Sequence, residues 1–128
     1  MIEHVERTRV DWIDTDAGGR IHFTNAFRWV ESAETSLMQK AGLLETHWGN
    51  YPRRHVQAEY FKVLRFMDEI EVRIRVERLG TTSITYAWEL VKDGEVCVAG
   101  SHTVVHVDRE GRPEPLSQEL RAALGERG

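Results

Sequence analysis

The sequence is poor in the residues that cross-link a chain or bind zinc through sulfur. Its 128 residues include a single cysteine, Cys97, and only three prolines. One cysteine excludes a disulfide framework within the chain and a cysteine-rich zinc site. Repeats, low-complexity tracts and Pro/Gly-rich linkers are absent as well, and this length suffices for one hydrophobic core. The sequence therefore predicts a single domain over residues 1–128.

Long apolar runs and a surplus of basic charge are also missing. No run approaches the roughly 20 apolar residues of a membrane-spanning helix, and residues 1–7 lack the apolar core of a signal peptide. The net charge of −4 argues against a nucleic-acid-binding surface, which needs a basic surplus. The content of 41% hydrophobic and 30% charged residues is typical of a folded domain. We therefore expect a cytoplasmic protein that binds neither nucleic acid nor membrane.

The strongest helical pattern covers residues 25–41. Apolar residues recur there on one stripe at 100° per residue, which predicts a buried face. The stripe consists of Phe27, Val30, Leu37, Met38 and Ala41. Thr24 or Asn25 can cap the start of this helix, and Gly42 can end it in a left-handed conformation. Glu34 falls inside the stripe, where a carboxylate is costly unless it is paired.

The second half of the chain has the period-two alternation of β-strands. Ile70, Val72, Ile74 and Val76 alternate with charged residues, so one face of this strand is dry and the other wet. The same reasoning predicts strands over residues 83–91 and 96–107, and weaker ones over 54–63 and 5–13. A short helix is expected over residues 117–124, with Ser117 as its cap.

Two local signals refine the strands. Asp93-Gly94 predicts a tight hairpin, and the interrupted alternation near Gly100 predicts a bulge or a close backbone approach. One long helix cannot cover both faces of a five-stranded sheet. We therefore expect an α+β fold in which an antiparallel sheet wraps around the helix and leaves a face or an edge for oligomerisation.

The segment between the first strand and the long helix concentrates acids, glycines and a histidine. It leads into a helix N-terminus, which has free N–H donors and a positive partial charge. A carboxylate such as Asp16 on this loop suits acyl transfer, because the donors stabilise an oxyanion while the carboxylate acts as base or nucleophile. The same pattern also suits a plain turn, with Asp14 and Asp16 as turn residues, Gly18-Gly19 as the bend and His22 as a packed side chain. Spacing alone favours the plain turn.

A resemblance changes this balance. Residues 14–29, with Glu31 following, resemble the opening signature of the hotdog-fold acyl-CoA thioesterases, most closely the 4-hydroxybenzoyl-CoA thioesterase-like branch. In that signature an Asp-x-Asp pair precedes a glycine, several apolar or aromatic residues, an Asn, and an aromatic residue within the helix. The likeness continues through residues 67–72, 78–83 and 105–113. It therefore covers nearly the whole chain in the expected order.

The resemblance implies both a fold and an activity. The fold is the hotdog fold, a five-stranded antiparallel sheet around one long central helix, assembled as homodimers or homotetramers with active sites at the dimer interface. The activity is hydrolysis of an acyl-CoA thioester, with Asp16 as the catalytic base or nucleophile and the backbone N–H of Phe23 polarising the carbonyl. The candidate substrate-binding residues are Gly19, His22 and Asn25, of which Asn25 is expected to fix the loop-to-helix junction. No metal or other cofactor is expected.

Departures from the signature leave some assignments open. Arg20 stands where an apolar residue is more usual, and His22 stands where an aromatic residue is usual, with Phe23 following. Arg20 and His22 could therefore face the acyl pocket, although a surface position is favoured for Arg20. The same offset makes the assignment of the polarising N–H to Phe23 uncertain by about one residue.

Glu34 has two interpretations, and the later histidines have one. Glu34 is either a second catalytic carboxylate, as in another hotdog branch, or one partner of a salt bridge across the dimer with an arginine from the following strands. The salt bridge is favoured because Asp16 already fills the catalytic place. His102 and His106 are expected on one face of a strand, about 13 Å apart and too far for one metal ion.

Two other functions compete with thioester hydrolysis. A hotdog enoyl-CoA hydratase or dehydratase uses an Asp and a His in one loop, which Asp16 and His22 could imitate; the usual Asn-Pro between them is absent here. The second rival is a non-catalytic acyl-CoA-binding protein. Release of free thiol distinguishes hydrolysis from both.

Overall fold

A computed structural model describes residues 1–126 as one five-stranded antiparallel sheet with helices. The strands are β1 (Glu3–Arg9), β2 (Arg53–Tyr60), β3 (Glu69–Leu79), β4 (Ser83–Lys92) and β5 (Glu95–Val105). The helices are α1 (Asn25–Lys40), α2 (Leu44–His47) and α3 (Gln118–Ala123), and a single 3-10 turn spans Trp12–Asp14. The last two residues of the predicted domain lie outside the described residues.

Most predicted elements are present in the predicted order. β1 ends at Arg9 instead of reaching residue 13, because residues 12–14 form the 3-10 turn. The four-residue helix α2 was not predicted from the sequence. Ser117 caps α3 as expected, since its hydroxyl accepts a hydrogen bond from the Leu120 N–H at 3.1 Å.

The strand order β1-β3-β4-β5-β2 places β3, β4 and β5 in the middle of the sheet, which curves around α1. The dry face of β3 is buried as predicted, and α1 packs against it. Phe27 and Met38 of α1 also contact Trp88 and Tyr86 of β4. The two elements contribute buried residues to one hydrophobic core. They include Val30, Ala33, Leu37 and Met38 of α1 and Ile84, Tyr86, Trp88 and Leu90 of β4. Phe27 and Ala41, which the helical stripe includes, are only partly buried.

The irregularity near Gly100 is a close backbone approach and not a bulge. A Cβ at Gly100 would clash with the Gln57 carbonyl oxygen on β2 and lie 2.5 Å from the Trp88 ring on β4. The pairing of β5 continues in register through Gly100 on both sides. Glycine is required here because two neighbouring strands leave no room for a side chain. The Asp93-Gly94 turn is also confirmed, with both residues at positive φ.

β2 forms one edge of the sheet and runs antiparallel to α1. Arg53, at the start of the strand, contacts Glu34 of α1, whereas Tyr60, at the strand's end, contacts Phe23 just before the helix. Among the described residues, one side of β2 pairs with β5 and the other side pairs with no strand. The strand therefore contacts the middle of α1 and the segment just before it, and its outer edge is unpaired among the described residues. No helix within residues 1–126 is long and apolar enough to cross a membrane.

Candidate active site

A short hairpin before α1 presents Asp16. The His22 N–H donates to the Asp14 carbonyl at 2.8 Å, and the Asp16 N–H donates to the Arg20 carbonyl at 2.7 Å. The turn between the two arms closes where the Gly19 N–H donates to the Asp16 carbonyl at 3.0 Å. Gly19 has a φ of +78°, a conformation that glycine adopts without a steric cost. The predicted substrate-binding residue Gly19 is thus the residue that shapes the turn beside the acid.

The Asp16 carboxylate is oriented and still accessible. Its Oδ1 accepts a hydrogen bond from the Gly18 N–H at 2.8 Å, which fixes the side chain over the turn. Within the described residues, its Oδ2 accepts no hydrogen bond, and the side chain is exposed. One oxygen therefore holds the carboxylate in place while the other faces outward, as a base or nucleophile requires.

The helix start offers a backbone donor at Phe23. The His22 carbonyl accepts the Asn25 N–H at 2.8 Å, so the N–H on the other side of that trans peptide, which belongs to Phe23, points away from Asn25. The described residues supply no acceptor for this N–H. The Tyr60 hydroxyl donates to the Phe23 carbonyl at 2.5 Å and fixes the next peptide. Burial raises the pKa of Tyr60 above its ordinary value of 10.0, so the hydroxyl stays a donor.

The His22 ring binds Thr24, the residue just before α1. Its Nδ1 lies 2.7 Å from the Thr24 hydroxyl and accepts the Thr24 N–H at 3.3 Å, while the ring stacks on Phe23 at a centroid distance of 4.8 Å. The side chain of Thr24 itself makes no capping hydrogen bond. The expectation of a Thr24 side-chain cap is therefore wrong, because the Thr24 hydroxyl bonds the imidazole, and the Phe27 N–H bonds the Thr24 carbonyl instead at 3.1 Å. Asn25 lies inside the helix, and no side-chain cap from it is seen either.

Asn25 fixes the loop-to-helix junction through its backbone N–H and not through its side chain. The side chain is only 5% exposed, and its Nδ2 has no hydrogen-bond partner in the described part of the chain. A buried amide without a partner costs about 1–3 kcal/mol. The amide therefore retains an unused donor beside the start of α1.

Glu34 of α1 forms a buried ion cluster with Arg53, at the start of β2, and His102 of β5. It is 3% exposed and bound by both terminal nitrogens of Arg53, Nη2 at 2.8 Å and Nη1 at 2.9 Å. The His102 Nε2 lies 2.7 Å from the same carboxylate. Burial alone would raise the pKa of Glu34, but the hydrogen bonds from His102 and Arg53 lower it below the ordinary value of 4.5. Glu34 is therefore ionised at neutral pH.

The structure corrects two expectations about this cluster. The arginine comes from the following strand, as predicted, but it pairs with Glu34 inside the same chain and not across a dimer. His102 and His106 do not share a strand face, because β5 ends at Val105 and the His106 ring bonds the Glu114 carbonyl at 3.2 Å. In residues 1–126 no group of three His, Cys, Asp or Glu side chains could hold a metal ion.

A cleft beside the ion cluster was not identified from the sequence. It has a volume of about 410 Å³ and lies between α1 and the chain that enters β2. Its lining includes Glu31, Glu34, Trp48, Tyr51, Pro52 and Arg53. The sequence contains one signal for this cleft, the Glu34 carboxylate on the buried stripe of α1. Residues 48–52, which line the other side, show no regular pattern in the sequence. Burial raises the pKa of Tyr51 to about 12, and the Tyr51 hydroxyl has no hydrogen-bond partner among the described residues.

Comparisons with known proteins agree with this architecture. A putative esterase of Aquifex aeolicus is 26% identical over 94% of this chain and 96% of its own length. A 1,4-dihydroxy-2-naphthoyl-CoA hydrolase of Prochlorococcus marinus is 28% identical over 73% of this chain and 67% of its own length. The solved structure of a gentisyl-coenzyme A thioesterase superposes with a TM-score of 0.86 at 22% identity, covering 95% of this chain and 100% of that one.

The match to a family model is also extensive. The model of the thioesterase-like superfamily matches residues 10–124, which include the Asp16 hairpin, α1 and all strands from β2 to β5. The hotdog fold expected from the sequence is confirmed, because the sheet, the helix and the superposition agree. The chain belongs to the thioesterase-like superfamily, a family of hotdog-fold thioester hydrolases.

Proposed function

We propose that this protein hydrolyses acyl-CoA thioesters to a free carboxylic acid and CoA. The observation that carries the proposal is the combination of an exposed, oriented Asp16 carboxylate with an unused Phe23 N–H at the start of α1. The family match and the CoA thioesters named for two of the relatives support the same reaction. The cytoplasmic location predicted from the sequence belongs to the same proposal.

The two groups divide the chemistry between them. The thioester oxygen accepts the Phe23 N–H, so that negative charge developing on it is stabilised by this donor and by the helix dipole. The Asp16 N–H pairs with the Arg20 carbonyl, three residues before Phe23, so the acid and the donor belong to one short segment that leads into α1.

Asp16 then acts by one of two balanced routes. As a nucleophile, it attacks the carbonyl carbon, CoA leaves as the thiolate, and water hydrolyses the resulting mixed anhydride. As a base, it takes a proton from water while the hydroxide adds to the carbon, and the proton passes to the leaving thiolate. In both routes Gly19 keeps the turn in shape, and His22 and Asn25 border the carbonyl site.

We further propose that the active unit is a homodimer formed along the free edge of β2. A strand edge with unpaired N–H and C=O groups pairs readily with another strand. Exposed apolar side chains on and just after β2 favour burial of this edge against another surface. They are Val56, Tyr60, Phe61, Val63, Phe66 and Met67. A second copy covers them and brings the two Asp16 sites to the dimer interface.

The Asp16→Asn variant tests the catalytic assignment. Thiol release from a panel of acetyl-, long-chain and aromatic acyl-CoA substrates should be present in the wild type and fall at least 100-fold in the variant, because an amide is neither a base nor a nucleophile here. Asp93→Asn is the matched control, since the same change lies in the exposed β4–β5 turn, where Asn tolerates positive φ. The control should keep wild-type rates.

The outcomes separate the competing functions. A folded Asp16→Asn variant with wild-type thiol release would refute the role of Asp16. Hydration of an enoyl-CoA without thiol release would identify a hydratase, although the His22 ring bonds Thr24 and not Asp16 in the described residues. Ligand-induced stabilisation without turnover of any thioester would identify a binding protein.

A further inference from the structure

The carbonyl of Phe23 takes no part in the backbone hydrogen bonds at the start of α1. The Asn25 N–H donates to the His22 carbonyl at 2.8 Å, and the Phe27 N–H donates to the Thr24 carbonyl at 3.1 Å. Both bonds reach back three residues, which is the tight winding common at helix ends. The Phe23 carbonyl lies between these two acceptors and receives no backbone N–H within residues 1–126. It therefore needs a partner from another element or from water.

The Tyr60 hydroxyl is that partner. Its oxygen lies 2.5 Å from the Phe23 carbonyl oxygen, although the two residues are 37 positions apart in the chain. Tyr60 is the last residue of β2, so the bond attaches the segment before α1 to an edge strand of the sheet. A bond between distant elements depends on the whole fold, and its loss leaves the local sequence of the site unchanged.

The two peptides that flank Phe23 are held by different donors. The peptide before Phe23 is held by the Asn25 N–H, which binds the His22 carbonyl, and the peptide after Phe23 is held by Tyr60. Because each peptide is planar, holding both planes fixes the backbone angles of Phe23 and the direction of its N–H. A donor stabilises an oxyanion most when it is aimed before the reaction begins. Tyr60 thus contributes to the aim of the Phe23 N–H.

Loss of the hydroxyl would free the Phe23 carbonyl for a different hydrogen bond. The Phe27 N–H could then move from the Thr24 carbonyl to the Phe23 carbonyl, which lies four residues before it, as in a regular α-helix. This change would extend α1 by a residue and rotate the peptide that follows Phe23. The tyrosine hydroxyl therefore competes with the helix for this carbonyl and keeps the donor residue outside α1.

We propose that Tyr60 is a positioning residue for thioester hydrolysis, because its hydroxyl holds the Phe23 backbone in the orientation in which the Phe23 N–H meets the thioester oxygen. The inference rests on the proposed function. It gives Tyr60 no contact with the substrate and no part in proton transfer, since the hydroxyl keeps its proton throughout. An interaction that matters only as charge develops on the thioester oxygen affects kcat and leaves KM unchanged.

Tyr60→Phe tests this role, because it removes the hydroxyl and keeps the ring. With the acyl-CoA that the wild type hydrolyses fastest, we expect kcat to fall about tenfold and KM to stay within about twofold. The loss is smaller than the roughly 10²–10³-fold effect of deleting an oxyanion donor, since the Phe23 N–H is still present. Tyr86→Phe is the matched control and should keep wild-type kinetics, because its buried hydroxyl contacts Met38, in another part of α1. Light scattering should give one mass for all three proteins.

Two CoA ketones that cannot be hydrolysed distinguish positioning from a general loss of structure. The carbonyl of acetonyl-CoA is planar, like that of the bound thioester. Trifluoroacetonyl-CoA is largely a tetrahedral hydrate in water, and it resembles the reacting carbon in the transition state. Tyr60→Phe should weaken inhibition by the tetrahedral compound about tenfold and inhibition by the planar compound by less than about twofold.

The outcomes separate this inference from the proposed function. An unchanged kcat in folded Tyr60→Phe, or equal weakening of the two ketones, would overturn the positioning role and leave the thioesterase function intact. Unequal weakening would support the positioning role even in a variant with a lower melting temperature. Absence of thiol release by the wild type from every substrate would overturn both.

Discussion

Glu34 shows how a buried charge is held by its neighbours. Burial opposes ionisation, yet Arg53 and His102 bind the carboxylate closely enough to lower its pKa below 4.5. A group whose folded-state pKa is depressed stabilises the protein above its unfolded pKa, and this contribution is lost as the pH falls through the folded value. The cluster is therefore a source of acid sensitivity below about pH 4.5.

The Glu34→Gln variant should separate these contributions. An amide cannot neutralise Arg53, so we expect the variant to lose about 1–3 kcal/mol of unfolding free energy at pH 7. The difference from the wild type should shrink as the pH falls below about 4.5, because the unfolded wild-type chain then takes up a proton at Glu34 that the folded chain resists. Urea denaturation at several pH values measures both effects, and a constant difference across this range would contradict the assignment.

Single residues also mark the limit of what the sequence predicts. Asp16 and Phe23 are predicted as site residues from a signature of adjacent residues, and the hairpin around Asp16 depends on local hydrogen bonds. The pairing of Glu34 with Arg53 and His102 joins residues that are 19 and 68 positions apart. No local pattern contains such contacts, so the partners of Glu34 and the cleft beside it became visible only in the folded chain.

At the scale of elements, alternation and periodicity were sufficient for most strands and for α1. They failed at Trp12–Asp14, where apolar residues continue the strand pattern but the backbone forms a 3-10 turn. They also failed at α2, a single turn whose residues show no apolar stripe. Both are single turns, too short to show a period. The one at Trp12–Asp14 is held locally, since the Asp11 N–H donates to the Asp14 carboxylate at 2.8 Å.

Gly100 makes a testable contribution to the sheet. Gly100→Ala should destabilise the protein by about 1–3 kcal/mol, because its Cβ would meet the Gln57 carbonyl and the Trp88 ring, neither of which can move freely. Ser101→Ala is the control at the adjacent position, where the side chain makes one exposed hydrogen bond. Thermal unfolding of the two variants measures the difference. Equal melting temperatures would show that the strands relax around the extra methyl group.

The whole molecule has two edge strands of different character. Four of the seven residues of β1 are charged, Glu3, Glu6, Arg7 and Arg9, whereas β2 leads into a run of exposed apolar side chains. Charged edges resist pairing and apolar edges promote it. The proposed homodimer, and any homotetramer built from it, should therefore depend on β2 and not on β1.

Val56→Lys tests this dependence. Val56 is 45% exposed on β2, and a lysine there should shift the protein toward monomer and reduce thiol release by more than tenfold. Val5→Lys introduces the same charge on β1, where the valine is 52% exposed, and should leave mass and activity unchanged. Light scattering after size-exclusion chromatography measures the mass. A monomeric wild type with full activity would contradict the proposed assembly.

The Tyr60 hydroxyl joins the edge of the sheet to the backbone at Phe23. A strand that is hydrogen-bonded on both sides moves less than a strand bonded on one side. Pairing of β2 with a second copy would therefore also restrict the motion of the Phe23 peptide at the oxyanion position. The proposed hydrolysis would then be fastest in the assembled protein.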